Sequence, residues 1–255
     1  MTEAWIDGAF EPQAARAICE GRHGDPFGVL GPHPLGKGVV VRAFVPGAER
    51  LVVLLAKGKE VEAVAVPECE GLFAAALPKR QDYRLRAEGH GAVWEFDDPF
   101  RFGPVLGEMD EYLLGEGTHK RLWQVLGAHI VTHEDVAGVH FAVWAPNAER
   151  VSVVGDFNVW DGRRHPMRRR GATGVWETFV PGLGEGTTYK YEIRGQHGYV
   201  GPLKADPVGF GSEHPPANAS VVRRITGTFD DKEWMDTRAA RHSIDAPMSV
   251  YEVHL

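Results

Sequence analysis

The sequence predicts an all-β chain of two tandem immunoglobulin-like β-sandwiches with short helices. Three observations point there. The chain repeats itself: VVVRAFVPGAERLVVL at 39–54 returns as VHFAVWAPNAERVSVV at 139–154, placing Phe44 on Trp144, Pro46 on Pro146, Ala48 on Ala148, Glu49 on Glu149 and Arg50 on Arg150. Apolar residues alternate along these runs, as they do in strands with two unlike faces. Short runs of this kind are separated by Gly- and Pro-rich turns at the spacing of a sandwich.

Each element follows from its residues. Pro12–Glu20 reads as a short helix, with Pro near its start and Gly21 ending it. Val139–Trp144 places Val139, Phe141 and Val143 on one face and His140, Ala142 and Trp144 on the other. Ala145-Pro146-Asn147-Ala148 is a turn, because Pro fixes φ and Asn tolerates turn geometry. Strands then follow at Arg150–Val154, Val175–Val180 and Thr187–Arg194, with Gly182, Gly184 and Gly186 in a connecting turn. Thr118–Leu126, between the repeats, reads as a second helix with Thr118 as N-cap and Gly127 past its end. The repeat persists downstream. Gly71-Leu72-Phe73 parallels Gly174-Val175-Trp176, Tyr83 parallels Tyr189, and Asp98-Pro99 parallels Asp206-Pro207.

Composition narrows the function. With 255 residues, 43% hydrophobic and 25% charged, the chain is expected to fold into about two packed domains. A net charge of −7 argues against a nucleic-acid partner, whose binding rests on phosphate neutralisation by Lys and Arg. Cys19 and Cys69 show no CxxC spacing and are read as reduced, buried residues. No signal peptide is visible in MTEAWIDGAF and no apolar run approaches a membrane span, so no membrane partner is expected and the cytoplasm is the expected compartment.

Gly155-Asp156-Phe157-Asn158-Val159-Trp160 is the most informative stretch. A strand ends there in a turn that presents Trp160. An indole is a flat apolar plate that matches the C–H face of a glucose ring, with Asn158 and Lys190 available to orient the sugar. Trp160 capping its own sandwich is the competing reading, and the residues alone leave both open. The run Arg163, Arg164, Arg168, Arg169 and Arg170 reads as a solvated loop more than as a phosphate patch, since no aromatic ladder accompanies it. His129 and His133 lack a third ligand, and no grouping supports nucleophilic or paired-carboxylate catalysis. No metal, cofactor or catalytic residue is expected in these residues.

The chain resembles the N-terminal region of bacterial 1,4-α-glucan branching enzymes of glycoside hydrolase family 13. The likeness lies in His23-Gly24-Asp25-Pro26-Phe27-Gly28-Val29-Leu30-Gly31-Pro32-His33, in Glu116-Gly117-Thr118-His119 and in Leu126-Gly127-Ala128-His129. Phe141-Ala142-Val143-Trp144-Ala145-Pro146-Asn147-Ala148, Gly155-Asp156-Phe157-Asn158, Trp160-Asp161-Gly162-Arg163-Arg164-His165-Pro166-Met167 and Leu203-Lys204-Ala205-Asp206-Pro207 are similar to the family 48 carbohydrate-binding module of those enzymes. The resemblance implies an α-glucan partner (glycogen, amylose or maltooligosaccharides). It implies a retaining transfer of an α-1,4 segment to a 6-hydroxyl, with carboxylates on a (β/α)8 barrel. It maps a stacking aromatic onto Trp160, a polar contact onto Lys190, a second aromatic onto Tyr199 and a further contact onto Asn218. The rival readings are a free-standing glucan-binding module and the front of a related trehalose-releasing or debranching enzyme.

The expected layout is a first sandwich at 1–107, a helical connector at 108–130, a carbohydrate-binding sandwich at 131–229 and a linker at 230–248. Residues 249–255, SVYEVHL, are expected to be the first strand of a truncated barrel, the chain's own catalytic partner. The first copy has Leu54-Leu55-Ala56-Lys57-Gly58 where the second has its Trp160 turn, so it is expected to position rather than capture sugar.

Overall fold

The computed structural model describes residues 10–67, 69–227 and 229–254. The chain divides into two compact units, the first ending at Arg224 and the second beginning at Ile225.

The first unit holds both repeats. In the first repeat, β1 (Gly31–Leu35), β2 (Gly38–Phe44), β6 (Leu72–Leu77) and β5 (Val64–Ala65) form one sheet, in the order β1-β2-β6-β5. Its partner sheet is ordered β4-β3-β7-β8, from β3 (Arg50–Leu55), β4 (Glu60–Glu62), β7 (Tyr83–Gly89) and β8 (Ala92–Phe96). In the second repeat, β9 (Gly127–His133), β10 (Val136–Trp144), β12 (Arg168–Arg170) and β13 (Val175–Pro181) give the order β12-β13-β10-β9. The facing sheet is β11-β14-β15, from β11 (Ala148–Val154), β14 (Thr188–Gly195) and β15 (Ser220–Val221). All ladders are antiparallel.

The repeated residues do the same work twice. Val45 N–H donates to Gly71 O (2.6 Å) as Ala145 N–H donates to Gly174 O (2.8 Å). Both glycines have positive φ, 84° and 77°, a conformation that glycine takes without steric cost. The Glu49 carboxylate accepts from His90 N–H (3.2 Å), and the Glu149 carboxylate from His197 N–H (3.1 Å). Tyr83 Oη donates to Asp98 (2.5 Å) and Tyr189 Oη to Asp206 (2.7 Å), each inside its own sandwich. Val41, Leu51, Val53, Phe73 and Leu85 fill the first core; Phe141, Val151, Val153, Trp176 and Tyr191 fill the second.

Several expectations change. The helix between the repeats is α2 at Glu108–Gly115, not Thr118–Leu126, where only a 3-10 turn at Leu122–Gln124 forms. The acidic first turn of α2 (Glu108, Asp110, Glu111) complements the helix N-terminus, whereas Thr118 N–H simply closes on Leu113 O. Gly127 opens β9 rather than ending a helix, so the second sheet begins inside the expected connector. α1 (Pro12–Cys19) forms as expected. Cys19 and Cys69 are not reduced: they form a disulfide, which the wide sequence separation concealed and the fold brings together at 5.8 Å between Cα atoms.

The second unit contains α3 (Lys232–Arg241) where a featureless linker was expected. Its ties are polar, from Lys232 to Asp236 (2.5 Å) and from the Thr237 hydroxyl to Glu233 O (2.7 Å), so no apolar stripe announced it. The expected barrel strand is not seen. Described residues Ser249–His254 form no strand, because an isolated segment has no ladder partner to satisfy its backbone. Among the described residues no helix is long and apolar enough to cross a membrane.

Candidate functional site

The expected glucan turn is built from β11 outward. Gly155 lies so close to Thr188 O that a Cβ there would sit 2.4 Å from it, which presses the turn onto β14. Asn158 is 2% exposed. Its Oδ1 accepts from Gly155 N–H (3.0 Å), and its Nδ2 donates to Val153 O (2.9 Å) and to His165 Nδ1 (3.0 Å). This amide is engaged within the turn, so Asn158 holds the loop in place. Val159 and Trp160 then both take left-handed backbone, with φ of 59° and 58°. That is costly for a β-branched residue, about 1–3 kcal/mol, and such strain persists only where the surroundings impose it.

The strained pair brings the chain to Trp160 at the end of the turn. Trp160 is half-buried, and its Nε1–H donates to Asp156 Oδ1 (2.8 Å). It does not cap the sandwich. Phe157 does, packing on the core with its ring 6.5 Å from that of Phe141. Lys190 pairs with Val154 across the ladder, at the same end of the sheet as Trp160, and its Nζ is bonded to the Asn218 amide oxygen.

Tyr199 is elsewhere. It is 70% exposed and its carbonyl accepts from Gly195 N–H (2.8 Å), at the far end of β14. The length of β11 separates it from the Trp160 turn, roughly 20 Å at ~3.3 Å per residue. A residue without an assigned role stands at that second end. Trp144 closes β10, is 61% exposed, and has its Nε1–H bonded to Thr173 O (3.1 Å). Ala148 pairs with Gly195 just across the turn from it. The alternation in Val139–Trp144 already placed this indole on the outer face.

The arginines are neither a solvated loop nor a phosphate patch. Arg164 donates to Pro46 O (2.7 Å) and Arg168 to Phe102 O (2.8 Å), with its guanidinium 4.0 Å over Phe27. Arg170 is bound to Glu111 (2.5 Å) and lies 3.2 Å from Glu177. Only Arg163 and Arg169 of the five are exposed, Arg163 paired with Asp161 (2.7 Å). The cluster therefore joins the second sandwich to the first and to the connector. Among the described residues no set of His, Cys, Asp and Glu converges as a metal site. His129 Nε2 lies 3.0 Å from Leu126 O and His133 Nε2 3.1 Å from Gly103 O.

The half-buried His165 and the buried Asp98 titrate in opposite senses. Burial, aided by the Arg164 guanidinium, pushes the His165 imidazole down to about 4. Burial raises the Asp98 carboxyl to about 6, against the bonds from Tyr83 and Phe100 N–H. A histidine with a lowered folded pKa contributes stability above its ordinary value of 6.5 and loses it as pH falls toward 4. A carboxyl with a raised pKa does the reverse: it stabilises at low pH and loses that contribution as pH climbs from 3.8 through 6. The two slopes oppose each other between pH 4 and 6. Asp98→Asn removes one of them, so the melting temperature of that variant is expected to fall more steeply on acidification than that of the parent. Parallel curves in thermal scans would refute this assignment.

Two family models match the regions of the two repeats. Residues 11–100 match the family model of the alpha-1,4-glucan branching enzyme GlgB N-terminal domain, and residues 125–209 match carbohydrate-binding module 48 (isoamylase N-terminal domain). The chain is 58% identical over 246 residues to 1,4-alpha-glucan branching enzyme GlgB of Roseobacter denitrificans, covering 94% of this chain and 34% of that protein. It is 55% identical over 244 residues to GlgB of Paramagnetospirillum magneticum, covering 94% and 33%. A solved pullulanase from Anoxybacillus sp. LM18-11, complexed with maltotetraose, aligns at 13% identity and TM-score 0.34 over 88% of this chain and 28% of that one. The chain thus carries a GlgB-type N-terminal domain followed by a module of carbohydrate-binding family 48. It is the counterpart of the N-terminal region of 1,4-alpha-glucan branching enzymes, and it spans about a third of the length of the relatives it matches.

Proposed function

We propose that these residues are the glucan-binding and positioning part of a 1,4-α-glucan branching enzyme, whose transfer chemistry is carried by residues outside them. The partner is an α-glucan such as glycogen, amylose or a maltooligosaccharide. The observation that carries the reading is the pair of surface indoles, Trp144 exposed and Trp160 half-buried, on the module that matches carbohydrate-binding family 48. Trp144 and Trp160 each offer an apolar face while their N–H groups are already satisfied, so stacking on a sugar leaves no donor stranded. Lys190 and Asn218 stand at the Trp160 end and Tyr199 at the Trp144 end, which supports two contact surfaces on one module. Half-buried arginine ties hold that module against the first, which supports a positioning role for the GlgB-type domain. We place the chain in the cytoplasm. The Cys19–Cys69 bond argues the other way, since cytosolic thiol pools keep most pairs reduced.

Affinity electrophoresis in glycogen and titration with maltoheptaose test the reading. Trp144→Ala and Trp160→Ala are each expected to weaken binding by about 1–3 kcal/mol, taking the scale of aromatic stacking on a planar ligand. A folded variant with unchanged affinity removes that indole from the site. If the double variant also binds normally, the reading fails.

A further inference from the structure

A cleft of about 210 Å³ lies between the two sandwiches of the first unit. Its walls are aromatic: Phe44, Trp94 and Phe96 from the first sandwich and Phe157 from the second. Arg164 and His165 also line it, as does Leu183 at its edge. Phe157 and Asn158 belong to the turn that leads into Trp160, and His165 is bonded to the Asn158 amide.

The polar groups around the cleft decide what it takes. Asp98 is 1% exposed and is occupied by Tyr83 Oη–H (2.5 Å) and Phe100 N–H (3.0 Å). Asp97 is occupied by Arg101 (3.1 Å). The acids are therefore spent, yet their charge disfavours an anion. Arg164 disfavours a cation. His165 offers a donor: its Nδ1 accepts from the Asn158 amide, so in the neutral ring the proton sits on Nε2, which meets no partner among the described residues. The Trp94 Nε1–H likewise meets none among the described residues. What remains is a lining of apolar plates in which Trp94 and His165 each carry an N–H that no described residue engages, a set complementary to an uncharged ligand with apolar faces and acceptor oxygens. The volume is below the ~300 Å³ at which pockets for drug-sized ligands begin, so it suits a chain end more than a chain middle.

We propose that this cleft binds the end of a neutral α-glucan chain, with Trp94 as a wall and the His165 Nε2–H donating to a sugar oxygen. The proposal rests on the glucan reading above, and its site is separate from the Trp144 and Trp160 surfaces. The test is an NMR titration of the isotope-labelled full chain with maltoheptaose, following the indole N–H signals of Trp94, Trp144 and Trp160 and the imidazole of His165. The expected result is saturable movement of the Trp94 and His165 signals. Leu183→Trp, which fills the edge of the cleft, is expected to weaken that response at least tenfold while leaving the Trp144 and Trp160 responses intact. Movement of the Trp144 or Trp160 signals alone overturns the cleft and leaves the glucan reading standing. Movement of none overturns both. Should Leu183→Trp fail to fold, the signals of the parent chain decide.

Discussion

Replacing Glu177 by alanine is expected to remove about 3–5 kcal/mol of stability, the scale on which a buried charge network fails when one partner is deleted. Glu177 is 1% exposed. Its Oε2 accepts from the backbone N–H groups of Val105 (3.1 Å) and Leu106 (2.9 Å) and lies 2.9 Å from His140 Nε2. Its Oε1 lies 3.2 Å from Arg170 Nε. One carboxylate thus pins the segment ahead of α2 onto the outer face of β10 and β13, where His140 is 3% exposed. Alanine would leave the Val105 and Leu106 amide donors and the His140 imidazole without their acceptor, while Arg170 would keep Glu111 and Leu106 O. Burial raises this carboxyl, but the bond from His140, the charges of His140 and Arg170 and the Leu106 N–H outweigh it and hold it below its ordinary value. The contribution is therefore present above about pH 4.5 and lost as pH falls below it. Glu177→Gln keeps one carbonyl acceptor and should cost less, about 1–3 kcal/mol. Urea unfolding at pH 7 measures both; a loss below about 1 kcal/mol for alanine would mean that the network contributes little.

Reduction of Cys19–Cys69 is expected to cost about 2–4 kcal/mol. The bond joins residues 50 apart and ties α1 to the turn before β6. Closing a loop of that length in the unfolded chain is worth about 4 kcal/mol in the chain-entropy account, the upper end of what is seen. The native side has its own stake. Ala15 and Ile18 of α1 pack with Leu30, Phe44, Leu72 and Phe100, and Cys69 is part of that cluster. A helix of eight residues has little stability apart from such packing. Thermal unfolding with and without reductant reads the effect, and a Cys19→Ala/Cys69→Ala variant should melt lower and ignore reductant. Two titratable thiols in the unfolded, unreduced protein would show that the bond is not there.

Much of this was legible because the information is local. Alternation placed Val139, Phe141 and Val143 inward, and the offset of the repeats predicted paired strands that the ladders bear out. It could not say that the outer face of β10 is also covered. His140 and Ala142 alternate as if toward solvent, yet Leu106 and Leu126 pack with Ala142, and His140 is buried against Glu177. The same limit governed the arginines. In sequence they form a dense basic run; in space Arg164, Arg168 and Arg170 turn to carbonyls and carboxylates 59 to 118 residues away. A pattern within one segment carries no record of what lands on it from another.

The Trp160 turn divides in the same way. From residues alone, Gly155-Asp156-Phe157-Asn158 is a turn that shows an aromatic, and Asn158 is an available amide. Only the folded chain decides that Asn158 faces inward, that Phe157 takes the capping position, and that Tyr199 sits at the other end of the sheet beside the Trp144 turn. The sequence by itself determined two β-sandwiches, their strand order along the chain and the module that carries the surface indoles, because strand period and turn chemistry are properties of neighbouring residues. The tertiary structure decided the disulfide, the Glu177 clamp, the arginine ties and the grouping of site residues. Each of these depends on which distant groups meet once burial has removed water as the alternative partner.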